Sequence, residues 1–212
     1  MTYGACYWSF SDEEECEACN FQDSKQMSRE ARKILYENMI AKENVGFILR
    51  VLHASEISRN MLRKQPYNLN AMSHDAAMQM ISSALHANVK VKKVYVDTVG
   101  NPDSYRAKLE RAFSGKGIEF VVEKKADSKF ATCSAASILA KVLRDELTSG
   151  WMFSEGNFFK AVEKEYGSGY PSDPKCKVWM EKNLQDKVFC MYSFIQLIIL
   201  RVCIHHPIAF YF

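Results

Sequence analysis

The chain lacks a basic excess: 28 lysines and arginines against 25 acids leave a net charge of +3 over 212 residues. Contact with a polyanion must therefore come from a local patch and not from the overall field. It lacks a transmembrane-length hydrophobic run. The uncharged stretch from Val188 to Leu200 is 13 residues, short of the roughly 20 that span a bilayer, and Arg201 and Pro207 interrupt its extension, so no stable membrane association is expected. A disulfide framework is missing too, because seven cysteines are an odd number without regular spacing. With no positively flanked apolar signal at the start, this argues for a reducing intracellular compartment. Cys16-Glu17-Ala18-Cys19 has the spacing of half a zinc site, but no second CxxC or HxxxH follows, which leaves a free thiol pair in an acidic loop. Gly115-Lys116-Gly117 lacks the rest of a phosphate loop and reads as a turn. No internal repeat is visible.

What remains is an ordinary globular composition, 48% apolar and 25% charged, enough for one well-cored domain. Met1 to Trp8 reads as a strand with Tyr3, Ala5 and Tyr7 on one face and Gly4, Cys6 and Trp8 on the other. The acidic run Asp12 to Glu17 reads as a solvated loop. Ser28 suits the cap of a helix carrying Ala31, Leu35 and Met39, and Gly46 to Leu52 suits a second strand. Leu69, Met72, Ala76, Met80 and Leu85 fall at helical spacing, a stripe that belongs to a core. His74 in that helix reads as a packed histidine and not a catalytic base. Val91 to Val96 is a strand ending at Asp97, Pro102 starts a helix through Phe113, a strand follows Gly117, and Ser134 to Leu147 is helical. This alternation predicts an α/β domain whose ligands approach the carboxyl ends of the strands. Composition changes near residue 187, so the expected division is a domain over 1–187 and an apolar tail over 188–212.

Asp97 and Asp127 each follow a hydrophobic strand, which predicts two carboxylates at one edge of the sheet. Hard oxygen ligands suit Mg²⁺ or Mn²⁺, although Asp is also a common turn and cap residue. Gly167-Ser168-Gly169-Tyr170-Pro171 lets backbone approach a ligand and sets a tyrosine beside the turn, suited to reading a ribose hydroxyl. An ordinary glycine helix stop before a proline turn would leave the same residues. Asp23-Ser24-Lys25 precedes a helix and could meet a phosphate, or could simply cap it.

Taken together, DSK at 23 to 25, YNLNAMSHD at 67 to 75, VYVDTVGNPDSY at 94 to 105, KKADSKFATCSAASILAKVLRD at 124 to 145 and YGSGYPSDP at 166 to 174 resemble, in that order, the eukaryotic type 2 ribonuclease H catalytic subunits, of the ribonuclease HII family. The resemblance runs from about Met1 to Gln185. It implies a ribonuclease-H-like mixed sheet flanked by helices, with a helical C-terminal part. It also implies an endoribonuclease that hydrolyses the RNA strand of RNA–DNA hybrids, and single ribonucleotides embedded in DNA, with two metal ions. Asp97 and Asp127 match the third and fourth acids of that site and would be both catalytic and metal-binding. Tyr170, with Gly169 and Ser168, matches the motif that senses the 2′-OH, and Lys25 matches a phosphate-contacting lysine. Two accessory subunits and a nuclear location follow from the same resemblance.

The family's DEAGRG segment, which supplies the first two acids and the first, central strand, would lie before Met1. The tail after Lys187 does not resemble the family. The expectation is thus an N-terminally truncated member, poorly stable and inactive by itself, with a binding-only relative as the alternative: a chain that at most holds hybrid duplex or accessory subunits.

Overall fold

A computed structural model of the chain describes residues 1–19, 21, 27–65, 67–98, 100–150 and 173–183. In chain order the elements are β1 (Thr2–Tyr7), a 3-10 turn (Phe10–Asp12), α1 (Glu13–Glu17), α2 (Arg29–Ile40), β2 (Gly46–Val51), α3 (Ala54–Met61), α4 (Leu69–His86), β3 (Lys93–Asp97), α5 (Pro102–Ala112), β4 (Glu119–Glu123), a 3-10 turn (Ala126–Ser128), α6 (Ala131–Ser149) and α7 (Pro174–Asn183). The described residues divide into two compact units, one of residues 2–51 and 67–142, the other of residue 1 with 52–65, 143–150 and 173–183. No helix among the described residues is long and apolar enough to cross a membrane.

In the first unit β1 pairs antiparallel with β2, Tyr3 opposite Arg50 and Tyr7 opposite Gly46. β3 pairs in parallel with β4, Val94 opposite Phe120 and Asp97 opposite Glu123. Parallel neighbours need a crossover, and α5 supplies it. The alternation anticipated above is present, with the α/β mixture of pairings.

Helix ends follow their sequence signals. Ser28 Oγ accepts from Ala31 N at 3.1 Å, and Asn68 Oδ1 accepts from Ala71 N at 2.9 Å. Asn101 Oδ1 accepts from Asp103 N at 2.9 Å, and Pro102 fills the first turn of α5, where its missing N–H is no loss. Gly115 and Gly117, with φ of 77° and 65°, turn the chain from α5 into β4. In one place the fold departs from expectation. The acidic run is not a loop but α1, because Cys16 on its inner side is fully buried while the carboxylates stay at the surface.

The core of this unit joins Cys6 of β1, Trp8 just beyond that strand, Met39 of α2 and Cys133, Ala136, Ile138 and Leu139 of α6. Gly4 brings β1 against α6. A Cβ there would lie 2.6 Å from the carbonyl oxygen of Ala136, so the strand backbone rests directly on α6. Thr2 Oγ1 donates to the Ala140 carbonyl at 3.0 Å and Tyr3 Oη bonds Ser73 Oγ of α4 at 2.7 Å, fixing β1 from both sides.

In the second unit, Ile57 of α3 and Cys176 and Trp179 of α7 are buried. Arg144 Nε donates to Asp145 Oδ1 at 2.8 Å in a pair largely shielded from water.

Candidate active site

β3 delivers Asp97 at its carboxyl end, and the chain leaving β4 delivers Asp127 in the 3-10 turn Ala126–Ser128. Both carboxylates are nearly buried, at 7% and 6% exposure. The parallel register explains the meeting, since Thr98 N donates to Glu123 O at 3.0 Å and so holds the two strand ends together. The Ala126 amide then donates to Asp97 Oδ1 at 2.9 Å. The residue immediately before one acid thereby orients the other.

That amide is aimed by Lys125, which sits in the left-handed region with φ 57° and ψ 38°. The turn is closed by Ser128 N on Lys125 O at 3.1 Å, Ser128 Oγ on the same oxygen at 2.8 Å and Lys129 N on Ala126 O at 3.0 Å. Lys129 Nζ pairs with Glu123 across the turn. The ring of Phe130 lies 4.2 Å from that of Tyr95 and backs the site with hydrocarbon.

Cys133, in the first turn of α6, is wholly buried and faces the acids. Burial first, then the charges of Asp97, Asp127 and Glu123, hold its thiol well above the ordinary range. It stays protonated and is no nucleophile. Next to it Ser134 Oγ donates to the Phe21 carbonyl. Phe21 stacks on Trp8 with ring centres 6.4 Å apart, so the chain four residues before Lys25 is pinned to the helix that follows Asp127.

Asp97 and Asp127 are therefore brought together, at one strand edge. Lys25, Ser168, Gly169 and Tyr170 lie outside the described residues. His74 packs as read above, its ring 3.7 Å from that of Tyr105 and nearly parallel. Burial, then the charge of Lys108, lowers its pKa to about 4, which keeps it neutral. The Ala126 amide, Lys125 and Ser134 had no role assigned from the sequence. Ser134 alone carried a signal, a hydroxyl among the small residues of the first turns of the helix.

The donors are hard oxygens and suit Mg²⁺ or Mn²⁺ in kind. In number, no group of three or more His, Cys, Asp or Glu able to hold a metal occurs among the described residues.

Paired buried aspartates at the carboxyl end of parallel strands place the chain in the class of α/β domains that present their ligand site at that edge of the sheet. Comparison with known proteins narrows it. Residues 1–197 match the family model described as Ribonuclease HII, and the chain belongs to that family. It is 43% identical over 197 residues to the A subunit of Ribonuclease H2 from Rattus norvegicus, covering 92% of this chain and 64% of that protein. It is 41% identical over 180 residues to the corresponding Ribonuclease H2 protein of Arabidopsis thaliana, covering 85% and 60%. The chain thus spans less than two thirds of the length of these relatives. The RNase HII of the PCNA:RNase HII complex from Archaeoglobus fulgidus shares the fold, with a TM-score of 0.65 at 22% identity over 86% of this chain and 87% of that one.

Proposed function

We propose that this chain is the catalytic-subunit portion of a type 2 ribonuclease H, a hydrolase that cleaves the RNA strand of RNA–DNA hybrids and single ribonucleotides embedded in DNA. The observation that carries the reading is the acid pair, Asp97 oriented by the amide preceding Asp127, within a chain of this family. Asp97 and Asp127 would hold Mg²⁺ or Mn²⁺. A bound ion there supplies charge to polarise a phosphodiester and to make a ligated water more acidic. The chain's own part is positional. The Ala126 N–H holds one oxygen of Asp97 and so fixes the plane in which that carboxylate meets a ligand. The half-buried rings of Tyr95 and Phe130 and the buried Cys133 give the carboxylates a low-dielectric surround in which charge interactions are strengthened. Lys25 would contact a substrate phosphate, and Tyr170 with Gly169 and Ser168 would read the 2′-OH.

The name of the relatives, which makes each one part of a larger enzyme, supports assembly with accessory subunits, which we take to be two. We place the protein in the nucleus, checked by imaging a tagged chain. A second reading is favoured by one observation, that only two carboxylates meet among the described residues. In that reading the chain binds hybrid duplex or accessory subunits without cleaving.

The test is Mg²⁺-dependent cleavage of a duplex carrying one ribonucleotide. Asp127→Asn should lower turnover by at least about a hundredfold, about 2.7 kcal/mol of transition-state stabilisation. Full activity in that variant rejects the assignment. No cleavage by the unsubstituted chain, with hybrid binding retained, selects the second reading.

A further inference from the structure

We propose that Lys125 is a substrate-contacting residue, its ammonium neutralising a phosphate of the strand that lies across Asp97 and Asp127. The inference rests on the nucleic-acid reading of the site and extends it to a residue that has so far served only as part of a turn.

Three observations converge. Only two non-glycine residues among the described ones have a positive φ, Asn88 at 59° and Lys125 at 57°. Asn88 follows α4, and asparagine tolerates this region because its short side chain can bond its own backbone. Lysine has no such compensation, and the turn at Lys125 makes demands that glycine would meet without strain, since its bonds use only the Lys125 carbonyl. A side chain kept where the backbone favours its absence points to a role for the side chain.

The second observation is its freedom. Lys42, Lys93, Lys108 and Lys129 each pair with a carboxylate. Lys125 is exposed and makes no ion pair among the described residues. The third is its place. It precedes by one residue the amide that holds Asp97, and by two residues Asp127. The two buried acids would repel a phosphodiester, so a neighbouring fixed cation is what a substrate strand requires there. Lys116, equally exposed, lies before β4, at the end remote from Lys125, and serves as the control.

The experiment measures equilibrium binding of a short RNA–DNA hybrid to the full chain in EDTA across a salt series, beside a thermal melt of each variant. Lys125→Gly retains the turn and removes the charge. It should bind roughly five- to tenfold more weakly near 0.1 M salt, with the salt slope reduced by about one, and melt no lower than the parent. Lys125→Asn, which also tolerates the turn, should match it, and Lys125→Arg and Lys116→Gln should keep the parent slope. An unchanged slope in Lys125→Gly overturns the proposal while leaving the function reading intact. So does an equal fall in Lys116→Gln, which would show a diffuse field. Absence of hybrid binding by the parent chain removes both.

Discussion

β1 meets β2 antiparallel over six residues and is buried on both faces, whereas β3 meets β4 in parallel over five and ends in a carboxylate. The first pair is held by packing: Gly4 against the backbone of α6, Tyr3 on Ser73, Thr2 on Ala140. The second is held by register, and its useful product is the polar end that packing leaves open. At Gly4 the first pair leaves no room for an added atom, and the second tolerates two buried acids side by side. Close packing and the buried acids are thus assigned to different strands of the same unit.

Adding bulk to the packed pair gives the largest expected effect. Gly4→Val would drive a branched side chain into Ala136 and Leu139 and should lower stability by about 3 kcal/mol or more, within or above the usual range for overpacking. Urea unfolding of the full chain measures it. Gly46→Ala is the contrast, because the atoms nearest its added Cβ belong to the side-chain ring of Tyr7 and not to backbone, so it should cost less. An equal loss at the two positions would show that the contact of β1 with the backbone of α6 is not what limits bulk in this pair.

Neutralising the acid-bearing end should do the opposite. Asp97→Asn keeps an oxygen for the Ala126 amide and removes one of two neighbouring buried charges. Its unfolding free energy should therefore stay within about 1 kcal/mol of the parent or rise. A loss as large as that of Gly4→Val would make Asp97 a structural residue.

A pH-dependent effect lies where the two regions join. α4 covers β1 and β2, α5 covers β4, and His74 of α4 stacks on Tyr105 of α5. Its pKa is lowered from 6.5 to about 4, so the unfolded chain binds a proton that the folded chain refuses. Stability is fully present above pH 6.5 and is lost as pH falls through the window between these values. The ring is only half-buried, which limits the loss to about 1–2 kcal/mol. His74→Gln should flatten that part of the pH profile, read by urea unfolding between neutral and acidic buffer.

Much of this architecture was legible because hydrophobic period and caps agree: the Met stripe of α4, Pro102 opening α5, and the short β-branched runs of β3 and β4. Asp97 and Asp127 were legible as a pair because each follows a strand and parallel strands end on one side. α1 was not, since a single buried Cys16 among acids makes no periodic pattern. The hold of the Ala126 amide on Asp97 was not legible either. It depends on a left-handed Lys125, and nothing in Lys-Lys-Ala-Asp calls for a positive φ.

The amide bond to Asp97 has a consequence for the entropy of chain closure. It joins residues 29 apart, whereas the bond from Thr2 to Ala140 joins residues 138 apart. The second loop is longer by a little over two doublings, and at about 0.6 kcal/mol per doubling its closure is harder by about 1.4 kcal/mol. The two acids are assembled by the shorter closure, so their mutual placement depends on a contiguous piece of chain, while β1 must be recruited from much farther along it.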